Sequence, residues 1–218
     1  MNQIIYENRA THNRVLEPHK VLFHEGDHSD HIYEISSGVV MLYKLLPDGR
    51  RQIIYVASTG DIVGFYAGNL LDCTVETLSD VTLKVYDRQT IDSSAPLQNY
   101  INRRLVLQMQ RLQDHIVRLG CKTSFERVSS FLMELVPNRG GAECIGPDPS
   151  KCMDDKTVQL NMTRQEIADY LGLTIETVSR SLSKMQREGF IEIDSRSTIY
   201  IKNVCNVCNL TGFVKGLS

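Results

Sequence analysis

Four polar side chains between residues 176 and 183 have the types and spacing to read a nucleic acid. Glu176, Ser179, Arg180 and Ser183 share one face of a helix, since positions three and four apart are neighbours on its surface. An arginine fork bonds guanine O6 and N7, a glutamate accepts from cytosine N4, and a serine hydroxyl serves either. The competing use of Glu176 and Arg180, four apart, is a surface ion pair contributing about 0.2–0.5 kcal/mol. The residues around them decide in favour of DNA. Thr163 with Glu166 is a capping box opening a short helix whose Ile167, Ala168 and Leu171 face inward. Gly172 permits a sharp turn, Leu173 plugs the angle, and Thr174 caps a second helix with Val178, Leu182 and Met185 toward a core. That is a helix-turn-helix, whose second helix enters the major groove.

The elements that must position this motif follow from the rest of the chain. TVQL (157–160) reads as a strand, and FIEID (190–194) with TIYIK (198–202) as a hairpin turning at Ser195, Arg196 and Ser197, which makes the arrangement a winged helix. Residues 124–137 form an amphipathic helix ended by Pro137. From Gln98 to Gly120 the pattern is heptad-like: Asn102, Leu105, Met109, Leu112, Ile116 and Leu119 form a seam flanked by Arg103, Arg104, Gln110, Arg111, Gln113 and Arg118. Such a seam serves either an internal packing face or, at a period nearer 3.5 than 3.6, pairing with a second copy; the reading adopted is a homodimer, with Asn102 fixing register. From Val15 to Val85, short apolar runs are punctuated by EGDHSD, SSG, PDGR and STG, as in a sandwich or jelly roll.

Composition narrows the partners. The 218 residues carry a net charge of −2. Residues 1–96 hold 8 basic and 13 acidic side chains, a balance of −5; residues 97–218 hold 16 and 13, a balance of +3. A polyanion would therefore meet the C-terminal half. No apolar run reaches the ~18 residues of a membrane span. The N-terminus does not read as a secretory signal, and six irregularly spaced cysteines argue against an extracellular disulfide scaffold. A cytoplasmic location is expected. No Ser/His/Asp constellation, P-loop or dinucleotide fingerprint supports an enzyme.

Three stretches together resemble the CRP/FNR superfamily of bacterial transcription regulators: LFHEGDHSDHIYEISSGVVMLYKLLPDGRRQIIYVASTGDIVGF, the heptad helix, and TRQEIADYLGLTIETVSRSLSKM. The resemblance implies an α+β fold with a cyclic-nucleotide-binding-like β-roll (jelly roll) over 1–96, a dimerisation helix over 97–122 and a winged helix-turn-helix over 123–218. The pattern E-x-x-S-R (Glu176, Ser179, Arg180) is similar to the FNR and FixK branches, with Ile175 where CRP has an arginine. It implies a TTGA…TCAA-type inverted repeat, with Arg180 and Glu176 on the G·C pair and Ser179 on a neighbouring A·T pair. Thr163, Arg164, Gln165, Thr174 and Thr177 lie where the family contacts phosphates. The implied function is an activator in an oxygen- or nitric-oxide-related circuit. The loop LLPDGRR (45–51) is similar in place to family surfaces that touch RNA polymerase.

Departures from the family pattern bear on the signal. Asp72-Cys73-Thr74 stands where cyclic-nucleotide binders carry an Arg-Ser/Thr pair, and an aspartate there repels phosphate, which argues against cyclic AMP. No cysteine precedes Cys73, and Lys84 takes the roll position of the FNR cluster ligand, so that [4Fe–4S] site is not expected. His12, His19, His24, His28 and His31 fall early in the chain, where some relatives bind haem or metal; they and His115 are read as surface histidines. Cys205-x-x-Cys208 follows the last wing strand, and Cys144 and Cys152 precede the first. Four such thiolates would suit zinc or an iron–sulfur cluster, and a Cys152–Cys208 disulfide or free thiols are the alternatives. The rival reading of another class is a ligand-binding sensor module whose helix-turn-helix makes only protein contacts.

Overall fold

The computed structural model describes residues 12–28, 30–66, 68, 70–137, 139, 154–194 and 197–212. They fall into two compact units that divide between Gln113 and Asp114, within the longest helix. Among the described residues no helix is long and apolar enough to cross a membrane.

The first unit contains β1 (His12–Leu16), β2 (Val21–Phe23), β3 (His31–Ser37), β4 (Val40–Leu45), β5 (Arg51–Ala57), β6 (Ile62–Val63), β7 (Thr74–Thr77) and β8 (Val81–Asp87). They pair antiparallel in two four-stranded sheets, ordered β1-β8-β3-β6 and β2-β7-β4-β5. This is the expected jelly roll. Alternation along β8 buries Val81, Leu83 and Val85, the two-residue period of a strand with one buried face, and Val81 and Leu83 join a core with Ile35, Val40, Ala57 and Val75. At the β3–β4 turn, Gly38 has φ +91, and a Cβ there would stand 2.2 Å from the Asp80 carbonyl oxygen, so only glycine fits.

Two helices follow, α1 (Arg88–Asp92) and α2 (Ala95–Cys121). Leu97 and Ile101 of α2 are buried with Ile32, Ile62, Tyr86 and Ile91, so its first turns complete a second core of the roll. Polar groups reinforce the seat. The Tyr86 and Tyr100 hydroxyls donate to the two oxygens of buried Glu34, at 2.8 and 2.6 Å. Arg111 clasps Asp61 with both Nη atoms, and Tyr55 donates to the same carboxylate.

This seat changes the reading of the heptad. Leu105 and Leu112 are partly buried against the roll's own cores and Leu119 is half-buried, whereas Asn102, Met109 and Ile116 are exposed. The exposed apolar residues of α2 are Val106, Leu107, Met109, Ile116 and Val117. The uncovered stripe is thus rotated away from the seam, because the leucines pack within the chain. Arg118, read as a polar flank, is 6% exposed and pairs with Glu134.

The second unit holds α3 (Ser124–Glu134), β9 (Lys156–Gln159), α4 (Arg164–Leu171), α5 (Ile175–Arg187), β10 (Ile191–Ile193), β11 (Thr198–Ile201) and α6 (Val204–Asn209). The wing sheet has the order β10-β11-β9, antiparallel throughout. Helix α3 opens on a Thr123–Glu126 capping box and stops at Glu134, ahead of Pro137, which restricts the residue before it. His115 is not a surface histidine. It is 4% exposed, and its ring stacks on Tyr170 of α4 at 4.1 Å and 8°.

Candidate nucleic-acid interface

The helix-turn-helix is built by local rules that the sequence states openly. Thr163 accepts from the Glu166 amide at 3.2 Å while the Glu166 carboxylate accepts from the Thr163 amide at 2.7 Å, a reciprocal box that starts α4. The Thr163 hydroxyl also donates to the buried Glu166 carboxylate at 2.9 Å, a bond that alanine removes together with the cap. Thr163→Ala is expected to lower stability by about 1 kcal/mol, read as an earlier thermal transition of the full chain. Gly172 ends α4 in the left-handed region, with φ 61, and Arg127 donates to the Leu171 carbonyl at 3.1 Å. Thr174 then caps α5 by accepting from the Thr177 amide at 3.2 Å.

Burial splits α5 into two faces. Val178, Leu182 and Met185 are at most 3% exposed, which fixes the rotation of the helix. Glu176, Ser179, Arg180 and Ser183 are all exposed on its outer side. The structure therefore brings together the three residues singled out for base readout, Glu176, Ser179 and Arg180, with Ser183 beside them. The Glu176 carboxyl sits below its ordinary range, held first by its own backbone amide and then by the Thr174 hydroxyl; the charge of Arg180 contributes least. It is thus kept as an ionised acceptor, and the surface ion pair is a minor influence.

Thr163, Gln165 and Thr174 are exposed and Arg164 and Thr177 half-buried, all within the first turn of α4 or α5 or just before it. Helix N-termini present unpaired N–H groups and a positive dipole end, suited to phosphate. Burial disfavours the charge on Arg164, and its Nη1 is buried with no hydrogen-bond partner among the described residues. Gln165 donates to Asp169 at 2.7 Å. Leu173, expected to plug the interhelical angle, is only half-buried. Sequence reasoning did not weigh Ile175 as a contact. It is 38% exposed at the first position of α5, beside Glu176, where an apolar group can meet a thymine methyl. An isoleucine on an otherwise polar outer face was the signal.

The other singled-out residues lie elsewhere. Cys205 and Cys208 sit one turn apart on α6, while Cys144 and Cys152 lie outside the described residues. Arg139 donates to the Cys205 thiol at 3.3 Å and to Asp154 at 2.7 Å, and Asp154 accepts from the Cys205 amide, so residue 154 does lie beside α6 as the wing topology requires. Among the described residues, no three His, Cys, Asp or Glu side chains are grouped to hold a metal. His19 stands 3.6 Å from Glu76 and His31 stands 3.1 Å from Asp87. In the roll, Asp72 is on the surface 3.8 Å from Lys44. Cys73 is fully buried with its sulfur 2.7 Å from the Tyr66 hydroxyl, and burial pushes its thiol up to about 11.

Comparison with known proteins agrees with this geometry. Residues 13–94 match the cyclic nucleotide-binding domain family, and residues 126–207 match the Crp-like helix-turn-helix domain family. The nitrogen fixation regulation protein FixK of Rhizobium meliloti is 32% identical over 196 residues, covering 87% of this chain and 85% of that protein. The transcriptional activatory protein AadR of Rhodopseudomonas palustris is 36% identical over 192 residues, covering 86% and 76%. Among solved structures, FixK2 from Bradyrhizobium japonicum superposes with a TM-score of 0.78 at 27% identity, covering 93% of this chain and 98% of that one. These relatives are transcription regulators, not enzymes. With its roll, its long helix and its DNA-binding helix-turn-helix, the chain belongs to the CRP/FNR family of transcription regulators, in the FNR/FixK branch.

Proposed function

We propose that the chain acts in the cytoplasm as a homodimer that binds a TTGA…TCAA-type inverted repeat and activates transcription in an oxygen- or nitric-oxide-related circuit. The observation that carries this reading is the outer face of α5, where Glu176, Ser179 and Arg180 stand exposed over a buried back. Arg180 and Glu176 read the G·C pair of each half-site, Ser179 the neighbouring A·T pair, and Ile175 a thymine methyl. Thr163, Arg164, Gln165, Thr174 and Thr177 hold phosphates and set the register. Residues 1–96 serve as the effector domain, 97–122 as the dimerisation helix and 123–218 as the DNA-binding domain. The exposed stripe of Val106, Met109, Ile116 and Val117 supplies the dimer surface, with Asn102 and the half-buried Leu105, Leu112 and Leu119 at its margin. RNA polymerase is the second macromolecular partner, met through the exposed Leu45–Arg50 turn. Activation is supported by the relatives' names, the activatory protein AadR among them. The buried Cys73 and the Lys44-paired Asp72 support a roll that does not respond to cyclic AMP.

Fluorescence anisotropy with a TTGA…TCAA duplex tests the reading. The full chain should bind it at least ~10³-fold more tightly than a scrambled duplex at physiological salt. Equal affinity for both would leave only the charge-driven component and sink the proposal.

A further inference from the structure

Strand β6 is an edge strand, so one side of Ile62 faces no neighbouring strand. That side is closed by a side chain of α2. The Gln108 oxygen accepts from the Ile62 amide at 2.9 Å, and the Gln108 nitrogen donates to the Ile62 carbonyl at 2.9 Å. Gln108 is 7% exposed, so both bonds are made away from water. One primary amide here takes the place of a strand neighbour, since like a peptide group it presents a donor and an acceptor on separate atoms. One turn further along, Arg111 clasps Asp61, the residue before Ile62, and Asp61 is 1% exposed. Asp61 is itself fixed by the Ser58 amide at 2.9 Å and the Tyr55 hydroxyl at 3.2 Å.

Apolar packing alone leaves a helix free to rotate by part of a turn. Directional bonds to a backbone do not. At about 100° per residue, Val106, Met109, Ile116 and Val117 lie on average about 130° round α2 from Gln108. We infer that Gln108, assisted by the Asp61–Arg111 pair, is a positioning residue that sets the rotation of α2 and so presents the Val106–Val117 stripe to a second copy of the chain. Its effect on DNA affinity passes through dimer strength, because two half-sites must be engaged together. The inference rests on the dimeric DNA-binding reading above.

Gln108→Leu keeps the volume, removes both bonds and leaves the stripe untouched. Arg111→Met is a milder variant on a half-exposed side chain, and Arg111→Lys is its conservative control. Sedimentation equilibrium of the full chain should show the dimer dissociation constant raised tenfold or more in Gln108→Leu, severalfold in Arg111→Met and little in Arg111→Lys. Affinity for the TTGA…TCAA duplex should fall in the same order and recover when protein concentration exceeds the new dissociation constant. A merely structural role would lower the unfolding temperature while leaving the folded protein's dimer constant unchanged, and that result overturns the inference. So does a Gln108→Leu variant too unstable to purify, if Arg111→Met dimerises like Arg111→Lys. Failure of the functional reading looks different: the unmodified chain itself stays monomeric or ignores the repeat, and the inference falls with it.

Discussion

Arg180→Ala is expected to cut discrimination of the repeat sharply while leaving the protein folded. The side chain is exposed on α5 and contributes nothing to the core formed by Val178, Leu182 and Met185, so stability should change by no more than about 0.5 kcal/mol. Each bidentate arginine–guanine contact contributes about 1–3 kcal/mol of discrimination, and a dimer makes two, giving about 2–6 kcal/mol in all. Affinity for TTGA…TCAA should therefore drop ~30-fold or more, while affinity for a scrambled duplex changes little. Arg180→Lys should lose most of the same discrimination, because an ammonium keeps the charge but not the planar fork. Salt dependence separates this from a phosphate contact: removing a phosphate-bound cation lowers the slope of affinity against salt by about one, and removing a base-reading arginine leaves it. Unchanged affinity for the repeat in Arg180→Ala would favour the rival sensor module with protein contacts only.

How far the sequence foretold the molecule depends on the range over which its information acts. The helix-turn-helix was legible almost to the residue. Its signals are local: Thr163 with Glu166, Gly172, Thr174, and an apolar period that leaves Glu176, Ser179 and Arg180 together on the outside. The Thr123–Glu126 box is a local signal of the same kind at the start of α3. Strand β1 gave no such signal, since its five residues are exposed or only half-buried and show no alternation. Strand β7 was hidden for another reason: three of the four residues of Thr74–Thr77 are buried, so the segment shows no two-residue alternation.

Helix α2 shows where pattern alone fails. It carries leucines on one side and Val106, Met109, Ile116 and Val117 on another, so a heptad drawn through both finds a compromise seam. The polar residues would have resolved it, had their partners been known. Gln108 and Arg111 look like solvated flank residues, yet each is satisfied by a group about 46–50 positions earlier in the chain. His115 and Arg118 were misread in the same way. A buried polar side chain is legible only together with its partner, and the partner is a tertiary fact.

Acid should weaken the DNA-binding unit through His115, and the structure gives both the direction and the window. The ring is stacked on Tyr170 of α4, with Phe131 of α3 edge-on to the same tyrosine. Its Nδ1 faces the Arg118 guanidinium at 3.4 Å, and Arg118 is bound to Glu134 of α3. Burial comes first and the Arg118 charge second in disfavouring an imidazolium, opposed by the Tyr170 backbone, and the pKa falls from 6.5 to about 4. Between those values the unfolded chain binds a proton that the folded chain refuses. The stabilisation is thus complete above about pH 6.5 and is lost progressively as pH falls toward about 4, on the order of 3 kcal/mol over the whole span. His115→Phe keeps an aromatic ring on Tyr170 and removes the titration. Denaturant unfolding of the full chain, followed by a probe of the C-terminal unit, should give a steeper loss of stability between pH 6.5 and 4.5 for the natural chain than for the variant. Carboxylates such as Asp154, held below its ordinary range chiefly by Arg139, titrate in both proteins and cancel in the difference. Parallel curves across that window would mean the imidazole accepts its proton in place, and the stacked histidine would then be a packing element with no part in the acid response.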